Sequence, residues 1–71
     1  MEATDRTLGE LIKKMRKAEG VTQSELAEEV YSDVGSICRW EHGEDITIRM
    51  FIEMAHALGY TVEIEVKGGA E

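Results

Sequence analysis

Positive charge is scarce in this 71-residue chain: eight lysines and arginines stand against fifteen aspartates and glutamates, for a net charge of −7. A single cysteine, Cys38, excludes an intrachain disulfide and any zinc site built on a cysteine pair. No apolar run approaches the roughly 20 residues needed to cross a membrane. The opening Met-Glu-Ala-Thr-Asp-Arg has no apolar core of the kind a signal peptide carries. Both absences fit a cytoplasmic protein with no membrane partner. Proline, internal repeats and low-complexity segments are all missing. The two histidines, His42 and His56, have no metal-ligand spacing, and no nucleophile–base–orienter set is visible, so neither an enzyme nor a cofactor is expected.

Seventy-one residues make one domain near the lower limit for a self-sufficient core, and so small a domain gains much from a second copy of itself. A homodimer is the natural expectation. The charge is unevenly spread. Residues 1–20 hold five basic residues (Arg6, Lys13, Lys14, Arg16, Lys17) against four acidic, a balance of +1. Residues 21–45 hold Arg39 alone against seven acidic residues, a balance of −6. Residues 46–71 hold Arg49 and Lys67 against four, a balance of −2. Non-specific nucleic-acid affinity comes mostly from neutralised phosphates, so any such affinity is expected to be weak and strongly salt-dependent.

Four helices are predicted. Thr7 followed by Glu10 reads as a capping box opening the first, with Leu8, Leu11, Ile12 and Met15 as its buried stripe and Gly20 as its stop. A second box, Thr22 with Glu25, opens the next helix, whose apolar positions are Leu26, Ala27 and Val30. Asp33 is a good cap for the third, which runs to about His42 and stops at Gly43, with Ile37 and Trp40 pointing inward. Thr47 caps the fourth, where Ile48, Phe51, Ile52, Ala55 and Leu58 form the core face and Gly59 the end. Beyond it the period changes. Tyr60, Val62, Ile64 and Val66 alternate with Thr61, Glu63, Glu65 and Lys67, which argues a strand over 60–67. A lone strand cannot satisfy its backbone groups, so the same strand of a second copy is the economical partner. Residues 68–71 read as a frayed end.

Residues 22–43 have the form of two short helices joined by a tight turn, and here a family is recognisable. Residues 8–59 resemble the Xre/Cro/phage-repressor helix-turn-helix family. Its Thr-Gln-x-x-Leu-Ala core stands as Thr22, Gln23, Leu26 and Ala27. Its Ile-Ser-Arg-Trp-Glu-x-Gly close stands as Ile37, Cys38, Arg39, Trp40, Glu41, His42 and Gly43. Its fourth-helix ending appears as Met54, Ala55, His56, Ala57, Leu58 and Gly59. The resemblance implies a mainly α fold: a four-helix, lambda-repressor-like DNA-binding domain over 1–59, followed here by the C-terminal β-strand.

The resemblance also implies roles. Arg16 and Glu41 match a structural ion pair. Gln23 and Ser36 match positions that touch DNA phosphate, His42 and Arg49 match positions that touch backbone phosphate or the minor groove, and Lys13, Lys14 and Lys17 are candidates for further phosphate contacts. Asp33, Val34, Gly35 and Arg39 match the base-reading positions, where an acid, a valine and a glycine are unusual. Val34 suits a thymine methyl, Asp33 a cytosine amino group or simply a helix cap, and Arg39 a guanine. Tyr31 stands where the family often has glycine; a left-handed tyrosine would be strained, so a slightly longer second helix is expected. Cys38 replaces a serine and reads as a small, partly exposed helix residue.

The implied function is sequence-specific binding of double-stranded DNA by a dimeric repressor. The alternative is an acidic interaction module or antitoxin that keeps the fold with weak DNA binding and engages a toxin or another regulator. The C-terminal strand resembles an extension found in some antitoxins of this family, where it helps dimerisation.

Overall fold

The computed structural model describes residues 4–68, in which four helices follow one another: α1 (Asp5–Ala18), α2 (Gln23–Glu29), α3 (Val34–Glu41) and α4 (Ile48–Ala57). Each begins on a side-chain cap. The oxygens of Thr22, Asp33 and Thr47 accept the backbone N–H three residues on, as the spacing predicts. At α2 the box is complete, since Glu25 accepts from the Thr22 amide in return, at 2.9 Å. The first helix starts earlier than expected. Thr4 is its cap, accepting from the Thr7 amide at 3.1 Å, and Thr7 lies inside the first turn with its hydroxyl 2.8 Å from that of Thr4.

The helices meet around one core of Leu8, Ile12, Leu26, Ala27, Ile37, Ile46, Phe51, Met54, Ala55 and Leu58. Both α1 and α2 pack on α3 and on α4. Ile12, Leu26, Ile37 and Met54 are fully enclosed, each stabilising the fold by roughly 1.5–3 kcal/mol. Two expectations about the core change. Ile48 is exposed, because the Thr47 cap turns the first residue of α4 outward, while Ile46 and Met54 fill space that local periodicity did not assign to them.

Close approach governs the α1–α3 contact. Gly9 lies against the backbone at the end of α3, where an added Cβ would sit 2.7 Å from the Glu41 carbonyl oxygen and closer still to that of Trp40. The end of α3 is returned against α1 by Gly43 (φ 84°), whose own Cβ position is 2.7 Å from the Arg6 Cα. Helix α2 ends at Glu29 rather than running longer. Tyr31 takes the left-handed conformation (φ 56°), with Ser32 N–H donating to Ala27 C=O at 2.8 Å. This is the hydrogen-bonding of a Schellman turn, normally closed by glycine. The side chain of Tyr31 is 97% exposed, so no packing offsets a strain of about 1–2 kcal/mol. The burial of Ile37 and Leu26 on either side of the turn overrides it.

After α4 the chain runs out as an arm, and the molecule measures 46 Å along one axis against 22 and 19 Å across. Tyr60 and Val62 pack on the core, and the Tyr60 hydroxyl donates to the Glu19 carboxylate at 2.8 Å. That bond favours the neutral phenol and raises its pKa above 10.0. Among the described residues no strand forms, and none of residues 61–68 takes part in a backbone–backbone hydrogen bond. The expected strand has no partner within one chain, so the described fold is all-α. Of the expected frayed end, 68–71, all but Gly68 lies outside the described residues. No helix among the described residues is long and apolar enough to cross a membrane.

Candidate nucleic-acid interface

Helix α3 buries Ile37 and Glu41 and turns the opposite face outward: Val34, Gly35 and Arg39 are exposed, with half-buried Cys38 between them and His42 at the end. These positions follow the helical period, one stripe of about a third of the circumference. Arg39 makes no ion pair among the described residues, which leaves its guanidinium fork open. Val34 is 42% exposed at the first turn, and the space beside Gly35 is empty apart from Asp33 Oδ1, 3.2 Å from an added Cβ. Asp33 works as the cap, its Oδ1 accepting the Ser36 amide at 2.8 Å, and Ser36 itself is half-buried.

A cationic ridge borders this stripe. Lys13 lines a cleft with Arg6, Glu10, Glu41 and His42, beside the C-terminal end of α3. Lys17 lines a shallow groove with Gly20, Val21, Thr22, Gln23, Ser24 and Val34, beside the N-terminal end. The ridge therefore runs the length of α3 on one side. Sequence reasoning found Lys13 and Lys17 but missed Arg6, although the spacing of Arg6, Lys13 and Lys17 along one helix was available as a signal. Arg6 is held by Glu10 at 3.4 Å. His42 Nδ1 lies 2.7 Å from the Cys38 carbonyl oxygen, so that nitrogen carries the proton and Nε2 faces away. Arg49, at the exposed start of α4, is engaged by Glu53 at 3.3 Å, an exposed pair that a phosphate can displace.

Beneath the stripe lies a buried polar cluster. Arg16 Nε donates to Glu41 Oε2 at 2.6 Å and Nη2 to Oε1 at 3.2 Å, a bidentate pair with the Glu41 side chain 2% exposed. Arg16 Nη1 donates to the Val21 carbonyl at 2.9 Å, and Gln23 Nε2 donates to Glu41 Oε1 at 3.1 Å. The Arg16 guanidinium thus ties α1, the turn after it and α3 together, and the Glu41 carboxylate brings in α2 through Gln23. Breaking such a pair from one side typically costs about 3–5 kcal/mol, because the other charge is left buried. The bond from Gln23 had no signal in the sequence: residues 23 and 41 are brought together only by the crossing of α2 and α3. Of the sequence-expected site residues, Asp33, Val34, Gly35, Arg39, His42, Lys13, Lys17 and Gln23 border one surface, whereas Arg49 stands at α4, Ser36 is half-buried in the first turn of α3, and the arm residues Tyr60, Val62, Ile64 and Val66 lie beyond α4. No group of three His, Cys, Asp or Glu among the described residues is arranged to hold a metal ion.

Comparison with known proteins fits this geometry. The family model described as Helix-turn-helix matches residues 12–64, most of the chain. The chain belongs to the Xre/Cro-type helix-turn-helix family, a class of DNA-binding domain associated with transcription regulation. Among solved structures it is similar to the clp gene regulator ClgR from C. glutamicum, with 29% identity, a TM-score of 0.77, and coverage of 86% of this chain and 80% of that one. It is also similar to Fe(II)-HppE with its alternative substrate (S)-1-HPP, at 24% identity and a TM-score of 0.74. That second likeness covers 86% of this chain but only 32% of the other, and it is one of fold alone. No curated protein sequence matches the chain.

Proposed function

We propose that the chain is a sequence-specific DNA-binding transcriptional regulator that acts in the cytoplasm as a homodimeric repressor. The observation that carries this reading is Arg39 on the exposed stripe of α3, with no ion pair among the described residues and flanked by Val34 and the open space at Gly35. In the major groove Arg39 reads a guanine through its O6 and N7, and Val34 meets a thymine methyl. Lys13, Lys17 and Gln23, with His42, Arg49 and Ser36, hold the phosphates that set the register. Asp33 caps the helix and takes at most a secondary part in reading.

The dimer reading rests on the arm. Ile64 and Val66 are 61% and 88% exposed, and backbone groups over 61–68 are unpartnered among the described residues. An antiparallel ribbon with residues 60–67 of a second copy satisfies both, and a dimer with its two recognition helices about 34 Å apart would meet two half-sites one helical turn apart. A second reading, an acidic module that engages a basic protein such as a toxin, is favoured by exposed Glu25, Glu28 and Glu29 along α2.

Selection of bound sequences from random DNA by the purified protein tests the proposal. A recovered palindromic site is expected, with affinity falling steeply as salt rises. Arg39→Ala should lose about 1–3 kcal/mol per half-site and relax the preference at one base pair. Failure to enrich any sequence at low salt, with a protein partner retained, favours the acidic module instead.

A further inference from the structure

Gln23 occupies an unusual place. It starts α2 at the edge of the groove bordered by Lys17, Ser24 and Val34, yet its amide reaches inward to a carboxylate that is almost wholly buried. That carboxylate is immobile, because Arg16 holds both of its oxygens and Arg16 is itself held by Val21. A glutamine side chain has three torsions and, left free, must order them when it binds. Here one bond at the tip fixes them before any ligand arrives. The amide has two N–H groups; Glu41 takes one, and the second, with the amide oxygen, has no partner among the described residues.

We infer that Glu41 is a positioning residue for DNA binding, fixing the Gln23 amide so that its free N–H donates to a backbone phosphate. The inference rests on the DNA-binding reading above. It gives the buried carboxylate two tasks: it neutralises Arg16 within the fold, and it orients a neutral phosphate donor at the surface. A neutral donor displaces no counterion, so its contribution appears in affinity and leaves the salt dependence unchanged.

The chain offers an unusually clean probe. Gln23 is its one glutamine and it has no asparagine, so the protein has a single carboxamide NH2 pair in a 15N–1H spectrum. In the free protein that pair should be restrained and shifted from free-glutamine positions, and Glu41→Leu, which removes the acceptor and adds no amide, should return it toward them. With a selected DNA site, Gln23→Ala should weaken binding about tenfold with the same slope of log affinity against log salt. At matched folded fraction, Glu41→Leu should weaken binding in the wild-type background and have no further effect in Gln23→Ala. Should Glu41→Leu not fold, Gln23→Asn carries the test, since it keeps the amide but is one methylene short of Glu41; it should bind as weakly as Gln23→Ala, with a mobile NH2 pair. A mobile pair in the wild type, equal effects of Glu41→Leu in both backgrounds, or wild-type affinity in Gln23→Asn would overturn the inference while leaving DNA binding intact. Absence of binding by the wild type to any selected DNA overturns both.

Discussion

Replacing Gly9 by alanine is expected to destabilise the protein, although the same exchange in an open helix stabilises. Alanine gains about 1 kcal/mol of helix propensity over glycine. Against that, the new methyl would lie 2.7 Å from the Glu41 carbonyl oxygen and 2.9 Å from its carbonyl carbon. Both are backbone atoms, so no rotamer change relieves the overlap. Ordinary van der Waals separation requires α1 and the end of α3 to part by about 1 Å. Ile12 and Ile37, fully enclosed where these helices pack, would lose contact, and the Arg16–Glu41 bonds spanning the same two helices would lengthen. Overpacking typically costs 1–3 kcal/mol, and contact between two backbones belongs at the upper end. After the propensity gain, the net loss is about 1–2 kcal/mol, a fall in Tm of roughly 5–15 °C for a domain of this size. Gly35→Ala is the internal control. Its methyl meets only Asp33 Oδ1, at 3.2 Å, a side-chain atom that a shift of a few tenths of an ångström relieves with the 2.8 Å cap bond to Ser36 kept, so helix propensity should prevail and raise stability by about 0.5–1 kcal/mol. Thermal unfolding followed by circular dichroism at 222 nm reads both. Equal signs for the two substitutions would refute the close-approach account of the α1–α3 contact.

Tyr31→Gly should stabilise the fold by up to about 1 kcal/mol, because left-handed strain is removed, no packing is lost, and the added freedom of the unfolded chain offsets only part of the gain; chemical denaturation with a midpoint below that of the wild type would contradict it. The Tyr60 phenol should titrate above 10.0 in a Tyr31→Phe background, read by absorbance near 295 nm, and Glu19→Gln should bring it back down. Since the folded value is raised, the contribution of this bond to stability is fully present below pH 10.0 and is lost as pH rises through the folded value. An unchanged titration in Glu19→Gln would remove Glu19 as the cause.

What could be read from residues alone, and what could not, divides along a physical line. The caps at Thr22, Asp33 and Thr47 and the stops at Gly20, Gly43 and Gly59 involve atoms within a few residues of one another, so spacing sufficed. Thr4 and Thr7 compete for one local role three residues apart, and only the three-dimensional path of the chain decides between them. Burial of Ile46 and exposure of Ile48 follow from where the loop before α4 meets the core, information that no helical period holds. No local pattern singles out Gly9; its purpose is visible only once α3 lies across it. For Tyr31 local preference pointed the other way and lost to the packing of the helices it joins. The candidate interface was legible where it repeats a family pattern. The hydrogen bond that recruits Gln23 into the buried cluster was not, because it depends on a crossing between distant segments.

The outward stripe of α3 supplies none of the fully buried residues that hold the fold: Val34, Gly35, Cys38, Arg39 and His42 all lie outside it, while Ile37 and Glu41 anchor the helix from behind. The chain is in this sense a socket with an exchangeable face. On the proposed DNA-binding reading, variants drawn at those five positions should share one backbone and one cooperative unfolding transition while differing in the duplex they choose, so that divergence of targets need not await compensating changes in the scaffold.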